Sequence, residues 1–241
     1  MAQSECLEEG FLTFTRLWGD YEPPPTVGKT FERTWAAVEE YFKQYPLTSD
    51  PIRPYSTDFT QGVEFKFGIP LPFTHPDTGD PLLFGGRADL LGYYRDIPAI
   101  VDEKTTGALG ASWADQWKMR GQFHGYVWAA REIGIPVKVV VIRGVAILKT
   151  KITTMEVIKM DFPEHMLNRW KRNMLSKIQN FINMYEYLRD NPDKTPEDIL
   201  PMSFSDACIS FGGCSFVDLC LSPDPSRWYG DFGVRNWNPL D

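Results

Sequence analysis

Apolar positions in the first part of the chain recur at helical spacing. Leu7, Phe11, Phe14 and Trp18 predict one helix, the prolines at 23–25 stop it, and Trp35, Val38 and Phe42 predict a second. From Val63 the period falls to two: Val63, Phe65 and Phe67 alternate with Glu64 and Lys66 up to Pro70, the pattern of a half-buried strand. Turn residues Pro76-Asp77-Thr78-Gly79-Asp80 lead into a strand over 82–94, and Asp96-Ile97-Pro98 into another over 99–104, which predicts an antiparallel meander. Ser112 and Asp115 then form a capping pattern, and Trp113, Trp117, Phe123, Val127 and Ala130 predict a helix running to Glu132. Segments 137–148 and 153–160 are again strand-like, and Pro163–Asp190 is a long amphipathic helix. The order is ααβββαββα, an α/β chain whose mixed central sheet is flanked by helices. It divides into an N-terminal helical cover over 1–60, a core over 61–192 and a Cys-rich tail over 193–241.

Composition narrows the class. With 241 residues, 43% hydrophobic and 24% charged, the chain has material for a packed core, which excludes general disorder, and no period suggests a repeat protein. Its longest apolar run, 139–148, is interrupted by Arg143 and is half of what a membrane helix needs, so no membrane partner is expected. The first residues are acidic where an export signal is basic, which points to a reducing, cytoplasmic location. Net charge is −7, yet 138–177 carries nine Lys/Arg against three acids. That segment is either a basic face for a polyanion or an ordinary solvated surface.

Three short segments carry candidate chemistry. Gly86-Arg87-Ala88-Asp89 sets an acid in an otherwise apolar strand. Asp102-Glu103-Lys104 ends the next one, where period two puts Asp102 and Lys104 on one face and turns Glu103 away. A neighbouring strand that brings Asp89 to Asp102 makes two carboxylates beside an ammonium, a set that binds Mg²⁺ or Mn²⁺ and assists phosphodiester hydrolysis. Gln122 and Tyr126 stand at i and i+4 on one helical face and suit DNA contacts. A solvated strand end is the plain alternative for each segment alone. The tail adds Cys208, Cys214 and Cys220 within thirteen residues, without the paired C-x2-C spacing of common zinc sites.

Taken together, Gly86-x-x-Asp89, Asp102-x-Lys104-Thr-Thr and Gln122-x-x-x-Tyr126, in that order on strand, strand and helix, resemble the RecB-like branch of the PD-(D/E)XK nuclease superfamily. The resemblance covers about 63–145 and resumes in the tail. It implies a restriction-endonuclease-like core and a Mg²⁺- or Mn²⁺-dependent DNA nuclease, an exonuclease of recombination, repair or phage DNA metabolism. Asp89 and Asp102 would be metal ligands, Lys104 the positioning residue, and Gln122 and Tyr126 DNA-binding. Glu64 falls in a strand where such nucleases carry an acid. The cysteine tail resembles the terminal segment that holds a [4Fe–4S] cluster in some members, with Cys6 as fourth ligand; zinc or free thiols are the alternatives. Such nucleases also carry an upstream metal-binding His, whereas here His75, His124 and His165 all follow Glu64. A catalytically weak DNA-binding or assembly module that keeps the nuclease fold is therefore the alternative function.

Overall fold

A computed structural model of the chain describes residues 3–24, 29–57, 61–148, 150–201, 208, 213–235 and 238. Two helices open it, α1 (Gln3–Trp18) and α2 (Phe31–Gln44). The side chain of Thr30 accepts from the Arg33 amide and caps α2. The two helices meet through rings at helical spacing: Phe11 and Phe14 of α1 lie 4.9 and 5.8 Å from Trp35 of α2, centroid to centroid. On its other side α2 buries Ala37 against Val145 and Ile147, which fixes the helix pair to the sheet.

Six strands form that sheet: β1 (Ile52–Pro54), β2 (Val63–Thr74), β3 (Pro81–Tyr94), β4 (Ile97–Thr106), β5 (Val139–Ile147) and β6 (Ile152–Met160). Their order is β1-β3-β4-β5-β6, with β2 also paired to β3. β3 and β4 form an antiparallel hairpin closed by Arg95 and Asp96, both at positive φ, the backbone that a two-residue turn between twisted strands demands. β4 and β5 are parallel, with Asp102 opposite Ile142 and Lys104 opposite Gly144, so the chain crosses over between them. β5 is buried along its whole length, as its nearly continuous apolar sequence requires of a central strand.

The crossover departs from the single helix expected over 112–132. It is two helices, α3 (Ala111–Asp115) and α4 (Gly121–Glu132), separated by a turn. Gly110, not Ser112, is the N-cap, and no side chain caps α3. Trp113 and Trp117 are both buried and edge-on to each other at 5.4 Å, and Trp117 is also edge-on to Phe123 of α4. Burying both indoles is what bends the chain. A Cβ at Gly144 would lie 2.6 Å from Trp113 and from Leu109, so the glycine opens the place where Trp113 packs.

A long helix, α5 (Glu164–Asp190), follows β6, then the short helices α6 (Pro196–Ile199) and α7 (Val217–Leu221) and a 3₁₀ turn over Pro225–Asp231. The chain resolves into two compact units, one of Met1–Pro70 with Leu83–Lys171, the other of Leu71–Leu82 with Arg172–Pro239. In the first unit Phe84, Trp128 and Trp170 form one aromatic cluster under the start of α5. In the second, Asp77 bonds Tyr185 and pairs with Arg189 at 2.9 Å, tying the β2–β3 turn to the end of α5. Among the described residues no helix is long and apolar enough to cross a membrane.

Candidate active site

All three segments of candidate chemistry lie in the first unit, and the hairpin brings two of them together. Pairing of Leu90 with Val101 puts Asp89 beside the end of β4, where its Oδ2 accepts the Glu103 amide at 3.1 Å. Gly86 has a packing reason as well as a motif reason: a Cβ there would lie 2.6 Å from the Phe67 ring. That ring in turn sits edge-on to Tyr126 at 5.9 Å, which locates the α4 side of the site.

Asp102 is the centre. Its side chain is 1% exposed, and its Oδ2 lies 2.5 Å from the Lys104 ammonium. That contact is an ion pair; among the described residues no donor makes a hydrogen bond to Oδ2. Oδ1 accepts from Nε2 of Gln122 at 3.3 Å. The same Gln122 nitrogen lies 3.0 Å from the Tyr126 hydroxyl, which itself donates to the Arg87 carbonyl at 2.9 Å. Gln122 and Tyr126 are thus committed inside the protein: they aim the Asp102 carboxylate and tie α4 to β3. Loss of water around it raises the Asp102 pKa from its ordinary value; Lys104 opposes this and the Asp89 charge adds to it.

Glu103 was expected to face away, and its side chain does take the opposite face of β4. It is nonetheless part of the site. Its amide holds Asp89, and Oε1 accepts from the Tyr41 hydroxyl at 3.0 Å. Desolvation raises its pKa, with the Asp89 and Asp102 charges adding and Tyr41 opposing. Tyr41 in turn accepts from Arg143 at 3.1 Å. Arg143 is clamped by Asp50 at 2.6 and 2.7 Å and by Glu156 at 2.8 Å, and lies 3.8 Å over the Tyr45 ring. This corrects one reading of the basic segment: Arg143 is 1% exposed and adds nothing to a surface for polyanions. Tyr41 and Asp50 were not singled out from sequence, and Arg143 only as a break in an apolar run, because partners 93 and 102 residues apart leave no local spacing.

Glu64, at positive φ on β2, pairs with Arg87 at 2.9 Å; both side chains are exposed. In the second unit, Gly213 at φ +98 turns the chain so that the Cys214 amide reaches the Cys208 carbonyl at 2.9 Å, and the Val217 amide bonds the Cys214 carbonyl as α7, which carries Cys220, begins. Residues 202–207 and 209–212 lie outside the described residues. The four cysteines form no disulfide, and Cys6 is half-buried on α1. Among the described residues no three His, Cys, Asp or Glu side chains converge as a ready-made metal group.

No protein-family model matches the chain, and no curated protein does. Among solved structures, one titled "Crystal structure of SSO0001" aligns over 75% of this chain and 88% of its own at 13% identity, with a TM-score of 0.29. An overlap that loose assigns neither fold nor function.

Proposed function

We propose that the chain is a metal-dependent DNA nuclease of the PD-(D/E)XK type, RecB-like, acting as an exonuclease on a restriction-endonuclease-like core. The observation that carries the reading is the grip on Asp102: Lys104 on one oxygen, Gln122 on the other, and Asp89 alongside. The chemistry of the donor set fits a hard cation. Asp102 pairs with Lys104 and feels the Asp89 charge beside it, Glu103 bonds Tyr41 on the other face of β4, and the nearby guanidinium of Arg143 is taken up by Asp50 and Glu156. A divalent cation relieves that excess of negative charge, and Mg²⁺ typically takes one or two carboxylates and keeps its waters. Asp89 and Asp102 would hold it. When bound, such a cation polarises a phosphate and acidifies a coordinated water.

The chain's own residues do the rest. Lys104 sets a positive charge beside Asp102, where charge grows on a phosphate in the transition state. Gln122 fixes the plane of the carboxylate, and Tyr126 fixes Gln122. Lys104→Met is therefore expected to retain metal binding, by calorimetry, and to lose most turnover. Gln122→Ala should cost about 10–100-fold in activity, the usual size of an outer-shell loss. Loss of metal affinity in Lys104→Met equal to that in Asp102→Ala would contradict this division of roles. Degradation of labelled DNA also separates the nuclease from a DNA-binding or assembly module, which shifts DNA without cutting it.

For the tail, the reading is a [4Fe–4S] cluster with Cys208, Cys214 and Cys220 among its ligands. It is supported by three thiols on one short segment and by the turn that closes Cys214 onto Cys208. Protein purified without oxygen should be brown and contain iron and sulfide in similar amounts, and each of the three tail cysteines to Ser should bleach it. Colourless anaerobic protein with stoichiometric zinc would replace the cluster with a zinc site.

A further inference from the structure

On the α2 side of the sheet a cleft of about 560 Å³ opens, with its lining wholly in the first unit. Its walls are mostly apolar: Val38 and Phe42 of α2, Leu90 of β3 and Val145 of β5, with the Tyr41 ring among them. One end is polar, where Glu103 and Thr105 on this face of β4 meet Asp89. Asp102 and Lys104 point to the other face, so the pair at the centre of the proposed nuclease site leaves the cleft free for an occupant of its own.

We propose that this cleft is a binding site for a free small molecule with an apolar body and one ammonium group, the body lying against α2 and the ammonium at Glu103 and Asp89. Size sets the class, since the volume falls within the roughly 300–1,000 Å³ of small-molecule sites. Wall chemistry sets the body, which the aliphatic and aromatic side chains take out of water. Charge sets the head group. Arg143, the cation among the lining residues, is held by Asp50 and Glu156, and Lys29 donates to the Thr105 hydroxyl at 2.8 Å. Asp89 and Glu103 accept from the Glu103 amide and the Tyr41 hydroxyl, but among the described residues neither forms an ion pair. An ammonium at that end gains two carboxylates and an aromatic ring, the surroundings that favour a desolvated cation. A carboxylate or phosphate in the same place meets like charge. Thr34 adds an independent sign of an occupant: it lines the cleft, and its Oγ1 is buried with no hydrogen-bond partner among the described residues.

The test uses the full chain, without metal or DNA, and three probes of one shape: 4-phenylbutylamine, 4-phenylbutanol and 4-phenylbutyrate, each titrated by calorimetry at neutral pH. The amine is expected to bind about tenfold more tightly than the alcohol, the gain of one charge-assisted hydrogen bond, and the carboxylate not at all. Glu103→Gln should weaken the amine by about the same factor and leave the alcohol unchanged, a difference that a merely structural role would not produce. Leu47→Trp, at an exposed position of the wall, should weaken both without touching the core. Asp102→Ala should leave amine affinity unchanged, because its carboxylate lies on the other face of β4. Equal affinity for the three probes, tightest binding of the carboxylate, or no binding of the amine would overturn the proposal. So would loss of amine binding in Asp102→Ala, which would place the ammonium on the Lys104 side of the strand. The nuclease reading fails separately: DNA cutting without amine binding rejects the cleft alone, and amine binding without cutting rejects the nuclease alone.

Discussion

Arg143→Met is expected to destabilise the fold by about 3–5 kcal/mol, the cost of breaking a buried ion pair from one side. The guanidinium is the hub of a charge cluster inside the sheet: two bonds to Asp50, one to Glu156, one to the Tyr41 hydroxyl, and a face against Tyr45. Methionine fills much of the volume but leaves two carboxylates facing apolar walls, and the substitution releases Tyr41, which holds Glu103. Urea unfolding followed by circular dichroism measures the loss. Removing both sides should recover part of it, because a buried pair replaced entirely by apolar groups is often nearly neutral. Arg143→Met with Asp50→Leu is thus expected to be more stable than Arg143→Met alone. A loss under about 1 kcal/mol in the single variant would mean that the cluster is solvated as surface pairs are and does not anchor α2 to β5.

Much of the framework was legible because it follows from local periodicity. β2 and β3 alternate or run apolar, β5 is a continuous apolar run, and α5 begins within one residue of its expected start. What escaped was set by tertiary contact. β1 has three residues and exists by pairing Ile52–Pro54 with the end of β3, too short for any pattern. The break between α3 and α4 comes from burying two indoles, which a helical pattern with tryptophans four residues apart conceals.

The site divides along the same line. Asp89, Asp102 and Lys104 could be placed together from strand period and hairpin spacing, and the structure brings them together. Gln122 and Tyr126 could be placed on one helical face, but their engagement with Asp102 and the Arg87 carbonyl needed the crossover geometry. Glu103 was set aside because period two points it to the other face. Its backbone amide, which holds Asp89, and its bond from Tyr41 return it to the site, and neither has a signature in a single sequence.

Asp102→Ala is the change of largest expected effect on activity, a loss on the order of a thousandfold or more, which corresponds to about 4 kcal/mol of transition-state stabilisation. Asp102 touches both Lys104 and Gln122, so its removal takes away a proposed ligand and also the anchor for both neighbours. The fold should survive, since alanine removes a desolvated carboxylate whose burial is itself unfavourable. The direct measurement is release of nucleotide from end-labelled single-stranded DNA as magnesium is titrated, for the wild-type chain and for Asp102→Ala, with circular dichroism on both. Release that rises with magnesium in the wild type and is lost in a folded Asp102→Ala is the predicted result; release independent of the metal, or unchanged by the substitution, would contradict it.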